Sequence, residues 1–475
     1  MEVKGKKVLV MGAARSGIAC ARFLAARGAV VAVNDRKALE EWPEEARALK
    51  EEGVGLLPGD VPMWLLDQVE LVVLSPGVPT KTIPARYADR AGAEVIGEVE
   101  LAARFMRGRF VGITGTNGKT TTTSLIGKLL EDAGLPVQVG GNIGTPLISL
   151  VESSREDGWT VAELSSFQLE TIADFHPTVA LVLNVTPNHM DRYDAVTDYA
   201  AAKHRIFRNQ TPEDIAILNA DDEIVSSWAS GLRAHVTLFS VRRELEEGLF
   251  LRGRELVSRT REGERVLMTR DEMQLRGLHN VENVLAALAA GLACGASPAS
   301  MRETVRSFQP VEHRMERVAE INGVTFYNDS KATSVDATLK ALEALADDEG
   351  QVILILGGRG KRAPYAPLAP LIREKVRRLI LIGEDADTIE GELQHEATIE
   401  RASDMADAVR RSFEAAEAGD AVLLAPACAS FDMFRSFEQR GEVFKQEVLK
   451  IKNAEAGSQE PEGKAEKAFL LTSDS

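Results

Sequence analysis

Cysteine is scarce in this chain. There are three in 475 residues, Cys20, Cys294 and Cys428, and no CxxC pair. That excludes a disulfide framework and a zinc site built on thiolate pairs, and it fits a reducing compartment, so a cytoplasmic protein is expected. Aromatic residues make up only 5% of the chain. No apolar run nears the ~18 residues of a membrane-spanning helix, and the short run Val8-Leu-Val-Met11 near the N-terminus does not suit a signal peptide, so no membrane insertion is expected. Positive charge is also in deficit, with 56 Lys and Arg against 72 Asp and Glu and a net charge of −16. This balance argues against nonspecific binding to nucleic acid or to anionic membranes, yet it leaves room for a local basic site that takes a small anion. No internal repeat is visible. What remains is an ordinary globular composition, 44% apolar and 27% charged, on a chain too long for one core.

The most informative stretch is Val111-Gly-Ile-Thr-Gly-Thr-Asn-Gly-Lys-Thr-Thr-Thr122. An apolar strand end runs into a glycine-rich turn, the turn closes on Lys119 and threonines, and a helix-compatible run follows over 123–131. Glycines let backbone N–H groups approach phosphate oxygens, and a helix N-terminus adds partial positive charge. Lys119 can reach the β- and γ-phosphates and the Thr120 hydroxyl can sit on Mg²⁺. The strict P-loop has a further glycine where Ile113 stands, so this is a shortened form closing from Gly115 through Thr116, Asn117 and Gly118 to Lys119, Thr120 and Thr121. ATP binding is the expectation.

Residues 6–35 read as strand, turn, helix and strand, with Gly12 and Gly17 bracketing the turn and the helix placed over 18–27. Ala14 replaces the middle glycine of a dinucleotide fingerprint, so the turn suits an ordinary connection as well as a nucleotide. A strand at Leu71-Val-Val-Leu74 enters Ser75-Pro-Gly-Val-Pro79. Strands and helices alternate after the phosphate loop. An Arg- and Glu-rich stretch over 232–275 reads as a small antiparallel excursion, and 278–292 as an amphipathic helix. A third α/β unit starts near residue 309, with strands at Val352-Ile-Leu-Ile-Leu356, Leu379-Ile-Leu-Ile382 and Ala421-Val-Leu-Leu424. Polar, acidic residues from 454 to 475 read as a disordered tail. The expected fold is α/β in three domains: 1–98 Rossmann-like, 99–308 P-loop ATPase-like and 309–453 Rossmann-like.

Ligands of open α/β sheets bind beyond the carboxyl ends of strands, and several polar groups stand there. Glu163 ends a strand near the phosphate loop and suits Mg²⁺, with the opening of a helix as the lesser alternative. His189 lies in Asn184-Val-Thr-Pro-Asn-His-Met-Asp-Arg192, where a lone histidine is ordinarily structural. Lys203 reads as a solvated helix lysine from its surroundings alone. Asn280 and Asn283 open the amphipathic helix and could cap it or meet a base. His313-Arg314 and Asp329-Ser-Lys331 flank a strand, and Gly357-Gly-Arg-Gly-Lys361 forms a second strand–glycine–lysine turn suited to an anion. It lacks Ser or Thr after the lysine and so is not a second ATP site.

In this order, Gly115-Thr-Asn-Gly-Lys-Thr-Thr121, Asn328-Asp-Ser-Lys-Ala-Thr333 and Gly357-Gly-Arg-Gly-Lys361 resemble motifs of the Mur ligases, the ATP-dependent amide-forming enzymes of peptidoglycan precursor synthesis. The likeness runs from about residue 7 to 450. Gly140-Gly-Asn-Ile-Gly144, Glu163-Leu-Ser-Ser-Phe-Gln168, His189-Met-Asp-Arg-Tyr193, the run from Ala427 to Phe434 and Phe437-Glu-Gln-Arg-Gly441 are similar to the D-glutamate-adding branch. The resemblance implies a UDP-substrate domain, a central ATPase and a C-terminal amino-acid domain. It implies that Ser16, Asp35, Arg36, Gly77, Asn142 and His189 hold UDP-N-acetylmuramoyl-L-alanine. Asn280, Asn283, Arg314 and Asp329 join the phosphate loop in binding ATP. Thr120, Glu163, His189 and a carbamylated Lys203 hold two Mg²⁺ ions, and Lys331, Thr333, Lys361, Ser430 and Phe437 position D-glutamate. The catalytic set it implies is Lys119, His189, Lys203, Lys331 and Lys361, in a monomer. One departure is Pro187-Asn188 before His189, where the family usually carries acidic residues. Rival readings are a sister ligase taking another amino acid, a folylpolyglutamate synthetase-like enzyme, and an NAD(P)-dependent oxidoreductase. The last leaves the Lys119 loop unexplained, and a mere nucleotide-binding regulator leaves the remaining candidate residues without a role.

Overall fold

Continuous apolar runs of four to six residues suit strands covered on both faces, and the computed structural model contains three sheets built from them. It describes residues 1–458 apart from 143, 189–191, 276, 310–311, 346–349 and 362. The chain divides into two compact units, Met1–Gln309 and the part that follows.

The first sheet has the strand order Gly55–Pro58, Val30–Asp35, Lys7–Met11, Leu71–Leu74, Glu94–Gly97, and every pairing is parallel. The order reverses beside Lys7–Met11, which opens a crevice at the strand ends. Two glycines make that corner possible. Gly12 has φ +101°, and a Cβ there would stand 2.8 Å from the Ser75 Cβ; a Cβ on Gly17 would stand 1.9 Å from the Gly12 carbonyl oxygen. The helix after the turn starts at Arg15, three residues earlier than the pattern places it, and ends at Ala26.

The short helix Glu98–Ala103 leads into the second sheet, and its buried carboxylates grip that layer. Glu100 accepts from the backbone N–H groups of Ala173, Asp174 and Phe175 at 2.8–3.0 Å and from Arg104 Nε at 2.8 Å. Those donors hold its carboxyl below the usual range although burial opposes them. Glu98 accepts from Ile148 N–H at 2.8 Å, and burial pushes its carboxyl up to about 7.

The second sheet runs Gly263–Thr269, Glu255–Thr260, Gly248–Arg252, His235–Ser240, Ile215–Asn219, Val179–Val182, Arg109–Thr114, Trp159–Glu163, Val137–Gly141. The expected antiparallel excursion is found in part, over 248–269. His235–Ser240 and Gly248–Arg252 extend the parallel sheet, and only the last two strands turn antiparallel. Asp221 explains how the chain leaves Ser240 without forming a hairpin, because its carboxylate takes the Ser240 hydroxyl at 2.6 Å and the Val241 N–H at 2.7 Å.

Over this sheet pack the helices Lys119–Asp132 and Leu278–Ala293, which bury Leu125, Ile126, Leu129, Val284, Leu285 and Leu288 against Val111, Ile113, Val161 and Leu181. Each such side chain contributes roughly 1.5–3 kcal/mol, enough to hold four consecutive threonines, poor helix formers, in the first turn. The helix therefore starts at Lys119, well before the run read from sequence.

The second unit holds the third sheet, ordered Glu316–Ile321, Val324–Asn328, Ala421–Leu424, Val352–Gly357, Val376–Ile382, Thr398–Arg401. Its first pairing is an antiparallel hairpin and the others are parallel. Its last helix, Phe437–Ser458, passes the start at 454 read for the tail, while 459–475 lies outside the described residues. Among the described residues no helix is long and apolar enough to cross a membrane.

Candidate active site

Four parallel strands of the second sheet end side by side. Register pairs Ile113 with Glu163, Gly141 with Glu163, and Thr114 with Val182, so the phosphate loop leaves the sheet next to Glu163. Gly118 ends the loop with φ +82° and caps the helix, and a Cβ there would stand 2.2 Å from Asn283 Oδ1. The loop is held from below by the segment after Val182. Asn184 Oδ1 accepts from Asn117 N–H at 2.8 Å, and the Thr116 hydroxyl donates to Thr186 O at 3.2 Å.

Lys119 Nζ turns back into the loop and donates to the carbonyls of Gly115 and Thr116, each at 2.9 Å. Lys203 comes from the last turn of the helix Val196–His204 and reaches the same place, donating to Gly115 O at 2.7 Å with the Tyr199 ring 4.5 Å from its Nζ. It is not a solvated lysine, being only 1% exposed. Burial, with the Lys119 charge nearby, pushes its ammonium well below the usual lysine range. A buried amine that sheds its proton is a nucleophile, whereas an exposed ammonium is not.

Glu163 is 1% exposed. Its Oε1 accepts from Asn142 Nδ2 at 2.9 Å, and its Oε2 is buried with no hydrogen-bond partner. An orphaned carboxylate oxygen beside a phosphate loop, with the Thr120 hydroxyl at the start of the adjacent helix, suits a hard divalent cation such as Mg²⁺. His189, another of the expected ligands, lies outside the described residues. Asn280 and Asn283 are buried and bonded to each other at 3.2 Å, and Asn283 Oδ1 also accepts from Thr122 at 3.3 Å. Asn283 thus supports the phosphate helix directly.

Asn142 is also part of a second feature. A cavity of about 780 Å³ opens at the switch point of the first sheet, and Ser16, Asp35, Arg36, Gly77 and Asn142 all line it. Asp35 accepts from the N–H groups of Ala13 at 3.0 Å and Lys37 at 3.1 Å, which fixes the turn at the mouth. Sequence reasoning left Arg15, Asn34, Ser75 and Gln168 of this lining without a role. Ser75 follows the strand Leu71–Leu74, so the strand-end rule that points to Glu163 points to it as well. The pocket and the phosphate loop meet where Asn142 bonds Glu163. Gly141 allows that approach, because a Cβ on it would stand 2.3 Å from the Glu163 carbonyl oxygen.

In the second unit the expected residues also gather at strand ends. Asp329 follows Val324–Asn328 and is buried with Oδ1 unpartnered; burial pushes its carboxyl up to about 6, with the Arg314 charge opposing. Lys331 Nζ lies 5.4 Å from the Phe437 ring centroid, and Lys361 Nζ donates to the Thr333 hydroxyl at 3.1 Å. Ser430 is buried in the turn after the strand Ala421–Leu424. The frame between them is Arg440, which the sequence offered only within the run Phe437–Gly441 and without a role. It is 1% exposed and donates to Ser330 Oγ at 3.0 Å, Ser330 O at 2.8 Å and Cys428 O at 3.1 Å.

Comparison with known proteins finds three family domains in order along the chain. The MurD-like N-terminal domain profile matches residues 6–97, the Mur ligase middle domain 113–291, and the Mur ligase glutamate ligase domain 313–428. UDP-N-acetylmuramoylalanine–D-glutamate ligase of Acidobacterium capsulatum is 47% identical over 96% of this chain and 99% of its own. The protein of that name from Solibacter usitatus is 49% identical over 94% and 98%. Among solved structures, a pseudomurein peptide ligase type C from Methanothermus fervidus shares the fold with a TM-score of 0.61 at 19% identity, covering 94% of this chain and 100% of that one.

Proposed function

The chain belongs to the Mur ligase family, and from that premise we propose that it joins D-glutamate to UDP-N-acetylmuramoyl-L-alanine in cytoplasmic peptidoglycan precursor synthesis, with ATP converted to ADP and phosphate. The observation that carries this reading is the Asn142–Glu163 bond, which joins a nucleotide-sugar-sized cavity to the phosphate loop. The dehydrogenase alternative has no use for that junction.

In the reaction, a carboxylate oxygen of the L-alanine end bonds to the γ-phosphorus, the bond from that phosphorus to the bridging oxygen breaks, and ADP leaves. Lys119 neutralises charge on the transferring group. The D-glutamate amine then attacks the acyl carbon of the acyl phosphate, loses a proton, and phosphate departs. Ser16, Asp35, Arg36 and Gly77 hold the uridine diphosphate, and Asn142 with His189 holds the muramoyl end. The phosphate loop with Asn280, Asn283, Arg314 and Asp329 holds ATP. Lys331 and Lys361 face the carboxylates of D-glutamate, with Thr333, Ser430 and Phe437 beside them. Thr120, Glu163, His189 and Lys203 are the residues that would hold two Mg²⁺ ions, whose chemistry is to offset phosphate charge. Lys203 would join that set as a carbamate, formed when its neutral amine attacks CO₂ and sheds a proton; the burial that favours the neutral amine is compatible with this. The protein acts as a monomer.

The test is phosphate release from ATP with Mg²⁺ and UDP-N-acetylmuramoyl-L-alanine, adding D-glutamate, L-glutamate, L-lysine or meso-diaminopimelate in turn. Release with D-glutamate alone is the expected outcome. Release with another amino acid moves the chain to a sister activity, and no release with any of them overturns the reading.

A further inference from the structure

The wall of the nucleotide-sugar cavity formed by Ser75-Pro-Gly-Val-Pro79 is a stiff loop between two prolines. Its Pro76 carbonyl accepts from Arg192 Nη1 at 3.2 Å. The same guanidinium pairs through Nη2 with Glu170 Oε2 at 2.9 Å, in a setting where the two side chains are only 14% and 17% exposed. Its Cζ also stands over the Phe167 ring, 3.9 Å from the centroid. Glu170 is engaged on both oxygens: Oε1 accepts from the Tyr193 hydroxyl at 2.6 Å, and Oε2 accepts from the Thr80 hydroxyl at 3.5 Å. Phe167 stacks on Tyr193 with centroids 5.9 Å apart, and Tyr193 meets Tyr199 at 5.4 Å. Tyr199 ends the chain of contacts at the phosphate loop, since its hydroxyl shares a hydrogen bond with Thr116 Oγ1 at 3.3 Å and its ring lies 4.5 Å from Lys203 Nζ.

A guanidinium held at once by a carbonyl, a carboxylate and a ring face is a rigid fork that cannot rotate while keeping all three. Movement of the Pro76 loop onto a ligand therefore displaces Phe167 and Tyr193 with it, and Tyr199 is their neighbour on the ATP side. Resting on the function proposed above, we propose that Arg192 and Glu170 are positioning residues forming a latch that couples occupancy of the nucleotide-sugar cavity to the phosphate loop. Neither side chain has a part in the chemical steps; the latch acts through the contacts between the two sites. Coupling of this kind is reciprocal, so each ligand must change the affinity of the other by one common factor.

The experiment is calorimetric titration of the full chain with UDP-N-acetylmuramoyl-L-alanine, with and without a non-hydrolysable ATP analogue and Mg²⁺, and then in the reverse order. The wild type is expected to show a coupling factor of at least about fivefold, equal in both directions. In Arg192→Met the factor falls to near one, in Arg192→Lys it lies between, and KM for the UDP substrate rises more than kcat falls. A purely structural role would leave the factor in place. Should Arg192→Met fail to show a folded melting transition, Tyr193→Phe, which removes only a hydroxyl, is expected to lower the factor as well. A ligating wild type without coupling, or variants that keep the wild-type factor, overturn the latch alone. A wild type that neither binds nor ligates the UDP substrate overturns the functional reading with it.

Discussion

Two turns in this molecule have nearly the same composition and different surroundings. Gly115-Thr-Asn-Gly-Lys119 and Gly357-Gly-Arg-Gly-Lys361 each leave a buried parallel strand, pass through glycines and end on lysine. In the first, Lys119 is also the first residue of a fourteen-residue helix, and its Nζ curls onto the loop's own carbonyls. In the second, the next regular element is the short turn of helix Ala366–Leu368, and Lys361 reaches outward to the Thr333 hydroxyl. A helix N-terminus gathers N–H groups and partial charge for a polyphosphate, and a lysine beside a hydroxyl suits a single carboxylate. The lesson is that the element after the lysine decides which anion such a turn can take.

Substitutions can sharpen this contrast. The largest effect is expected from Lys119→Ala, with kcat down at least about a thousandfold in the phosphate-release assay because charge on the transferring phosphoryl group loses its neutralising partner; near-normal turnover would remove the distinction between the turns. Lys203→Ala should be comparably inactive, with partial recovery when short carboxylates are added to the assay. Lys361→Ala should raise KM for D-glutamate by about ten- to a hundredfold and leave KM for ATP nearly unchanged, consistent with the roughly 1.5–3 kcal/mol of a charged hydrogen bond.

The glycines give a subtler comparison. Gly118→Ala should cost about 1–3 kcal/mol in a melting experiment, since φ is +82° and the new Cβ would meet Asn283 Oδ1 at 2.2 Å. Trimming with Asn283→Ala should recover part of it. Gly358→Ala should show no comparable relief from a side-chain trim, because a Cβ there would stand 2.3 Å from the backbone oxygen of Ala429. The smallest effect concerns Asp329, whose carboxyl is raised by burial from 3.8 to about 6. Within that window the folded chain holds a proton that the unfolded chain releases, so the contribution to stability is full below about 4 and is lost as pH rises through about 6. Asp329→Asn should flatten that slope in melting temperature against pH.

Much of this was legible in the sequence. The phosphate loop and the strand-end position of Glu163 follow from the order of apolar runs, glycines and polar ends, and the D-glutamate branch follows from the family resemblance of its motifs. Other features depend on packing that no local pattern records. Lys203 reads as solvated from its neighbours Ala202 and His204, yet the strand ends bury it. Four threonines hide the first turn of the phosphate helix. The parallel pairing of Gly248–Arg252 with His235–Ser240 was obscured because the link between those two strands carries no helix and is anchored by the Asp221 carboxylate. Arg440 and Arg192 stand in runs that carry the family resemblance and Glu170 stands in none, and only their partners in the fold give the three a role.

The grip of Glu100 on three successive backbone N–H groups has a consequence for how the chain unfolds. Releasing the first sheet would leave those amides and a buried carboxylate without partners, each a desolvated group with no replacement. The first and second sheets should therefore melt as one cooperative block. In hydrogen exchange, the amides of Ala173, Asp174 and Phe175 should be protected to the same degree as the strand Lys7–Met11, although they lie in a connecting loop.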